Sequence, residues 1–245
     1  MTARDFKARM YMALLVAATA LTMGVAHPAY ANVYDFNTPP GATAGGQPVD
    51  AHATFTTGAG TLTLTLTNLL ANPKSIIQAI SDIFFSVSGA TGAGTGLYDP
   101  TASYITIAAN GTSSAAAAPT HHAWDLTYGG GTFHLDKLCG KNTCGTPAGL
   151  IIGPGPYTNA NGSIAGNKPH NPFVDQTATF TFLLAGVTAN SVISNVVFSF
   201  GTETGTNVAV PIPAAVWLFA SGLLGLIGIA RRRQAGLSRT TPLAA

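Results

Sequence analysis

The chain has 245 residues, of which 47% are hydrophobic and only 8% are charged, against about 25% charged in an average soluble domain. Its 28 glycines and 15 prolines favour turns over long helices, which argues against helical bundles and coiled coils. The lysines and arginines concentrate at the two ends, and the long interval between those ends carries a net negative charge. Nucleic-acid binding requires clustered cations, so no nucleic-acid partner is expected.

The first segment of the chain joins a cationic start to an apolar run. Three cationic side chains within the first nine residues precede an uncharged stretch at 10–25, and Ala29 and Ala31 follow in a small-x-small pattern. This order is typical of a secretory signal peptide. Residues 1–31 are therefore predicted to be a signal-peptide helix that signal peptidase removes after Ala31. A retained membrane anchor is the alternative, which the shortness of the apolar run disfavours.

Residues 32–207 have the length and the pattern of one all-β domain. The clearest strand is predicted at 61–67, where leucine and threonine alternate strictly, so that one face enters a core and the other meets water. One short helix is predicted at 74–80. Seven further strands are predicted, at 33–36, 53–57, 83–88, 104–108, 132–135, 178–184 and 193–200. Eight short strands at this spacing predict a β-sandwich, with a jelly roll as one option.

A polar cluster lies within sixteen residues of the body and consists of His121, His122, Asp125, His134 and Asp136. Imidazole and carboxylate groups can bind a metal ion or transfer protons, which makes a secreted hydrolase one alternative function. On the predicted strand at 132–135, the histidine alternates with apolar neighbours and is expected to face water. The sequence has no nucleophile elbow, Walker loop or H-E-x-x-H motif. We therefore expect no catalytic residues and no enzyme activity.

Cys139 and Cys144 are the only cysteines of the chain. Two cysteines in an exported protein predict a disulfide, because the compartment is oxidising. His134 could join them in a metal site, but the spacing lacks the paired short intervals of zinc sites. No metal and no cofactor are expected.

A carbohydrate-binding module is a further alternative for the body. Such a module should carry tryptophan or tyrosine side chains in a row on an exposed sheet face. The candidates are Trp124, Tyr98, Tyr104, Tyr128 and Tyr157. Threonine-faced strands also suit contact with sugars, although threonine is a good strand former in any setting.

An uncharged run precedes a triple arginine near the end of the chain. Residues 214–230 are all apolar or small, and a helix of this length covers about 25 Å, enough to span a thin hydrocarbon core. By the positive-inside rule, the arginines keep the tail at 234–245 in the cytoplasm. The arginines that end the run are Arg231, Arg232 and Arg233. A single transmembrane helix is predicted at 214–230, with a buried core helix as the disfavoured alternative.

The segment at 208–233 carries a short motif ahead of the predicted helix, formed by Val210, Pro211, Ile212, Pro213 and Ala214. Motif, helix and arginines together resemble the PEP-CTERM sorting signal of Gram-negative bacteria in its V-P-x-P-A variant, with isoleucine where the name has glutamate. The resemblance implies recognition by exosortase, a membrane enzyme thought to cleave near the prolines. It also implies an association with exopolysaccharide, biofilm and the cell surface.

These patterns together predict an exported protein with a structural or adhesive role at the cell surface or in the extracellular matrix. It is expected to cross the inner membrane, to be anchored there transiently through its C-terminal helix, and then to reach the surface or the medium. The expected partners are signal peptidase and exosortase, with exopolysaccharide as a candidate partner of the body.

Overall fold

The computed structural model describes residues 31–139, 146–203 and 206–211. Regular structure in these ranges is almost entirely β-strand, together with one 3-10 turn at Ile76–Gln78, so the prediction of an all-β body is confirmed. No helix among the described residues is long and apolar enough to span a lipid bilayer. The predicted signal-peptide residues before Ala31 and everything from Ile212 onward, including the predicted membrane helix at 214–230, lie outside the described residues.

Fifteen strands are described, and thirteen of them belong to one continuous sheet, while β2 and β3 form a separate two-stranded ribbon. Their bounds in chain order are β1 Val33–Asn37, β2 Thr43–Ala44, β3 Gln47–Pro48, β4 Ala51–Gly58, β5 Thr61–Asn68, β6 Ile80–Val87, β7 Gly96–Tyr98, β8 Thr101–Ile107, β9 Ser113–Ala116, β10 Trp124–Gly129, β11 Thr132–Asp136, β12 Ile151–Ile152, β13 Phe173–Leu183, β14 Ile193–Phe200 and β15 Asn207–Ala209.

The thirteen strands divide into two groups of six that β12 connects. The β13 group has the hydrogen-bonded order β1-β4-β5-β13-β8-β9, and the β6 group has the order β15-β14-β6-β11-β10-β7. Every pairing within the two groups is antiparallel. Strand β12 is parallel to β13 and antiparallel to β6, so it joins the two groups at one point.

The inner faces of the two groups pack against each other. On β5 the leucines are fully buried and the threonines lie on the outer face, as the alternation predicts. Phe55 of β4 contacts Phe85 of β6 with ring centroids 5.1 Å apart. Trp124 of β10 packs against Phe180 of β13 in an edge-to-face arrangement, with ring centroids 5.4 Å apart. Aromatic pairs of this kind add to the stabilisation that burial of their area gives.

The helix predicted at 74–80 is wrong, because this stretch makes one 3-10 turn and then enters β6. Gln78 explains the difference. Its Oε1 accepts hydrogen bonds from the backbone N–H groups of Lys74 and Ser75, and its Nε2 donates to the carbonyl of Pro48 at 2.9 Å. The side chain thus caps a turn and ties it to a distant loop, which a local helix would not allow.

The described structure also contains strands that the sequence did not predict. These are the short strands β2, β3, β7, β9, β12 and β15, and the six-residue strand β10. The eight predicted strands are all present, with ends displaced by up to five residues, and 193–200 matches β14 at both ends.

We expect Phe55→Ala to lower the free energy of unfolding by about 3–5 kcal/mol, because Phe55 is fully buried between the two groups. Leu183→Ala is the matched control, since Leu183 is 69% exposed, and it should change stability by less than about 0.5 kcal/mol. Urea unfolding of both variants measures the difference. Equal effects of the two substitutions would show that the described core does not hold the fold together.

Candidate functional site

The outer face of the β6 group carries a row of polar residues that lie directly opposite one another on five adjacent strands. In the order β15, β14, β6, β11 and β10 they are Asn207, Ser199, Asp82, Asp136 and Asp125. Aspartate is depleted in strands, and like charges directly opposite are destabilising. Strand stability therefore does not explain why three carboxylates lie next to one another in one register.

His134 lies on the same face as Asp136, two residues before it on β11. Its ring stacks on Phe84 with centroids 3.9 Å apart and planes within 8°. Its Nε2 lies 3.3 Å from Oδ1 of Asp82. These two atoms are both buried, and neither makes a hydrogen bond. The pair is therefore close enough to interact but lacks hydrogen-bonding geometry.

Neighbouring groups hold the two carboxylates in position. The hydroxyl of Ser81 donates to Oδ2 of Asp82 at 3.0 Å, and the backbone N–H of Leu138 donates to Oδ1 of Asp136 at 2.6 Å. Each of Asp82, His134 and Asp136 presents one ligand atom, and the three atoms lie within 4.8 Å of one another. Among the described residues, this is the group that brings three metal-ligating side chains together.

The electrostatics of the site favour a cation. Burial raises the pKa of Asp136, and the nearby charges of Asp82 and Asp125 raise it further. The hydrogen bond from Leu138 and the charge of His134 oppose the shift. The site opens into a cavity of about 450 Å³. The cavity is lined by Asp82, Phe84, His134, Asp136, Leu138, Ser199, Thr202, Glu203 and Asn207. Its walls therefore carry three carboxylates, and no lysine or arginine contributes to the described lining.

The predicted polar cluster is divided between two places. His122 lies apart from the site, with Nδ1 2.8 Å from the carbonyl oxygen of Pro119 and Nε2 3.3 Å from Oδ1 of Asp99, and His121 is exposed. His134 lies on the outer face as expected, but its Nε2 is buried rather than in contact with water. Asp82 was not among the predicted site residues. The signal that points to Asp82 is the alternation of β6, which places this aspartate on the outer face of the strand.

The five aromatic candidates do not form an exposed row. Trp124, Tyr104 and Tyr157 are buried in the described structure. Tyr98 is half-buried and packs its ring against Phe182. Tyr128 alone among the five is exposed, at 38%. These five residues therefore do not form the exposed aromatic row that is expected of a carbohydrate-binding module.

Lys137 is a second buried titratable group, on the strand end next to the site. Its ammonium donates hydrogen bonds to the carbonyls of His121 at 3.1 Å and Thr146 at 3.2 Å. Burial lowers the pKa of Lys137 to about 8, and the charge of Asp136 opposes the shift. Cys139 follows two residues later, and Cys144 lies outside the described residues, so the disulfide stays a prediction.

The residues of the two predicted processing sites are described only in part. Ala31 and Pro211 are exposed, and Val210 donates its backbone N–H to the carbonyl of Val196 at 3.0 Å. The remaining residues of these sites lie outside the described part of the chain, namely Ala29, Ile212, Pro213, Ala214, Arg231, Arg232 and Arg233.

Comparison of the chain with protein-family models, with curated proteins and with solved structures finds no match. A histidine and two aspartates with mutually close ligand atoms can hold a metal ion or share a proton.

We expect Asp125→Asn to raise the stability of the metal-free protein at pH 7 by a few tenths to about 1 kcal/mol. The pKa of Asp136 is higher in the folded state than its ordinary value of 3.8. Ionisation of Asp136 therefore lowers the free energy of unfolding as the pH rises from 3.8 through the pKa of the folded state. Removal of the Asp125 charge reduces that cost. Urea unfolding in EDTA buffer measures the gain, with Asp175→Asn on the exposed part of β13 as control. A loss of stability in Asp125→Asn alone would contradict the account.

We expect the free energy of unfolding to rise by about 1–2 kcal/mol between pH 8 and pH 9.5. The folded protein releases the Lys137 proton near pH 8, whereas the unfolded chain keeps it until about pH 10.5, so the unfolded state binds more protons in this window. Above this range the raised pKa values of Tyr104 and Tyr157 oppose the rise, because the unfolded chain ionises its tyrosines first. Lys137→Met should abolish the rise, and Lys168→Met, at an exposed position, should keep it. Urea unfolding across this pH range, without reductant, tests both variants. A flat profile for the unsubstituted chain would be the contrary result.

Proposed function

We propose that this chain is an exported cell-surface or extracellular-matrix protein with a structural or adhesive role in exopolysaccharide or biofilm. Signal peptidase and exosortase would process its two ends. The observation that carries the proposal is the position of the described strands between the two predicted processing sites. Strand β1 begins two residues after Ala31, and β15 ends one residue before Val210. Cleavage at both sites would leave every described strand intact.

The local structure at the two sites supports processing there. Ala31 and Pro211 are exposed, as a residue next to a protease cleavage point must be. Pro211 also has no N–H group for pairing with a strand, so regular hydrogen bonding stops at this point of the chain. The predicted C-terminal helix would hold this segment close to the membrane, where exosortase acts.

We propose further that the two strand groups are the two layers of a β-sandwich. The contacts of Phe55 with Phe85 and of Trp124 with Phe180 connect inner faces of different groups, which is the arrangement of a sandwich core. Such a body encloses an apolar core and leaves the outer faces of its strands for contact with a matrix. It is suited to a passive structural role in a matrix.

The outer face of the β13 group supports a structural role in a hydroxyl-rich matrix. Threonines lie opposite one another across β4, β5 and β13. The hydroxyls of Thr65 and Thr179 are 3.0 Å apart, and those of Thr67 and Thr177 are 3.2 Å apart. This face offers uncharged hydroxyl groups in a fixed array. The burial of three of the five aromatic candidates favours this role over that of a carbohydrate-binding module.

Mass spectrometry of the protein recovered from cells and from the medium tests the processing route. We expect the secreted form to begin at Asn32 and to end near the motif at Val210 to Ala214. Substitution of Arg231, Arg232 and Arg233 by glutamine should reduce surface delivery, because the positive stop of the predicted helix is lost. Arg239→Gln is the control and should leave delivery unchanged. Recovery of an uncleaved chain from the cytosol, or normal delivery of the triple variant, would contradict the proposal.

A further inference from the structure

We propose that Asp82, His134 and Asp136 form a binding site for a divalent transition-metal ion, with Zn²⁺ as the reference ion. The site lies on the outer face of the β6 group, and the inference goes beyond the proposed matrix role. It depends on the geometry of three side chains from two neighbouring strands and holds whether or not the ends of the chain are processed.

Two ligand atoms of the site lie at a separation that suits a bound metal ion. Nε2 of His134 and Oδ1 of Asp82 lie 3.3 Å apart without a hydrogen bond between them. Two ligands at about 2.0–2.2 Å from a tetrahedral Zn²⁺ are separated by roughly 3.4 Å. The observed distance is therefore close to one edge of a coordination tetrahedron. The ligand atom of Asp136 lies within 4.8 Å of the other two and can supply a third corner.

Neighbouring groups support the three side chains. Ser81 holds the other oxygen of Asp82, and the N–H of Leu138 holds Asp136. Phe84 stacks on the ring of His134 and limits its rotation. Outer contacts of this kind orient the ligands of metal sites. They leave Oδ1 of Asp82 and Nε2 of His134 without hydrogen-bond partners.

The other two histidine–aspartate pairs of the described structure differ from this one. His52 Nε2 is within hydrogen-bonding distance, 3.1 Å, of Asp35, which also accepts from Thr54. His122 pairs with Asp99, and its second ring nitrogen contacts the carbonyl of Pro119. Among the described residues, neither of these pairs has a second carboxylate close enough to form a three-ligand group like that of His134. The His134 pair is therefore built differently from an ordinary surface ion pair.

The charges around the site also favour a cation. Three aspartates lie in one register on β6, β11 and β10. Two of them, Asp82 and Asp136, line the cavity together with Glu203, so its walls carry three acids. A bound dication would reduce their repulsion and occupy the point to which the ligand atoms converge. The imidazole ligand favours Zn²⁺ and similar ions over Ca²⁺, which takes six to eight oxygen ligands. The cavity of about 450 Å³ leaves room for water or a further ligand on the ion.

Isothermal titration of the untagged, purified full-length chain with ZnCl₂, without reductant, tests the proposal. We expect one Zn²⁺ per chain and a rise in the midpoint of thermal unfolding that increases with Zn²⁺ concentration. Asp82→Asn and His134→Gln should each weaken binding by more than about 100-fold, because loss of an outer contact alone costs 10–100-fold. CaCl₂ should bind much more weakly than ZnCl₂.

His122→Gln is the matched control, since it removes a histidine from a pair without a third ligand. It should leave Zn²⁺ affinity unchanged. Asp82→Asn also relieves repulsion with Asp136, so the metal-free variant should remain folded, which its thermal unfolding curve checks. Absence of Zn²⁺ binding by the unsubstituted chain would overturn the proposal. An equal effect of His122→Gln and His134→Gln, or binding that survives both site substitutions, would overturn it as well.

Discussion

Contact between the inner faces of the two strand groups determines how the described strands pack. Phe55 packs on Phe85, and Trp124 packs on Phe180, so residues far apart in sequence meet in one core. A strand has a period of two, and a shift of one residue would expose these side chains. The core contacts therefore fix the register of each strand and decide which residues lie on the outer faces.

The outer faces carry the features that the core does not require. On the β13 group they are threonines, which are good strand formers and therefore cost the fold nothing. On the β6 group they are Asp82, His134 and Asp136, whose close carboxylates cost stability unless a cation is bound. Departures from local sequence preference of this kind are expected at functional sites. The buried aromatic pairs supply the stability that offsets the cost.

Local pattern predicted the body better than it predicted the site. The alternation at 61–67 and the apolar run at 193–200 identify β5 and β14 because period and composition are properties of the strand itself. The turn at Ile76–Gln78 was mistaken for a helix because Gln78 bonds to a carbonyl thirty residues away. Asp82 meets Asp136 only through the pairing of β6 with β11, and strand order is not readable from local pattern. His134 and Asp136 were recognised as polar neighbours, without the partner that completes the site.

The proposed role of the two ends in transport requires that the strands between them fold without those ends. Expression of residues 32–211 alone, in an oxidising compartment, followed by thermal unfolding, measures whether they do. We expect one cooperative transition with the same midpoint as the protein recovered from the producing cells. An unfolded or aggregated product, without a cooperative transition, would contradict it and would show that the terminal segments belong to the fold.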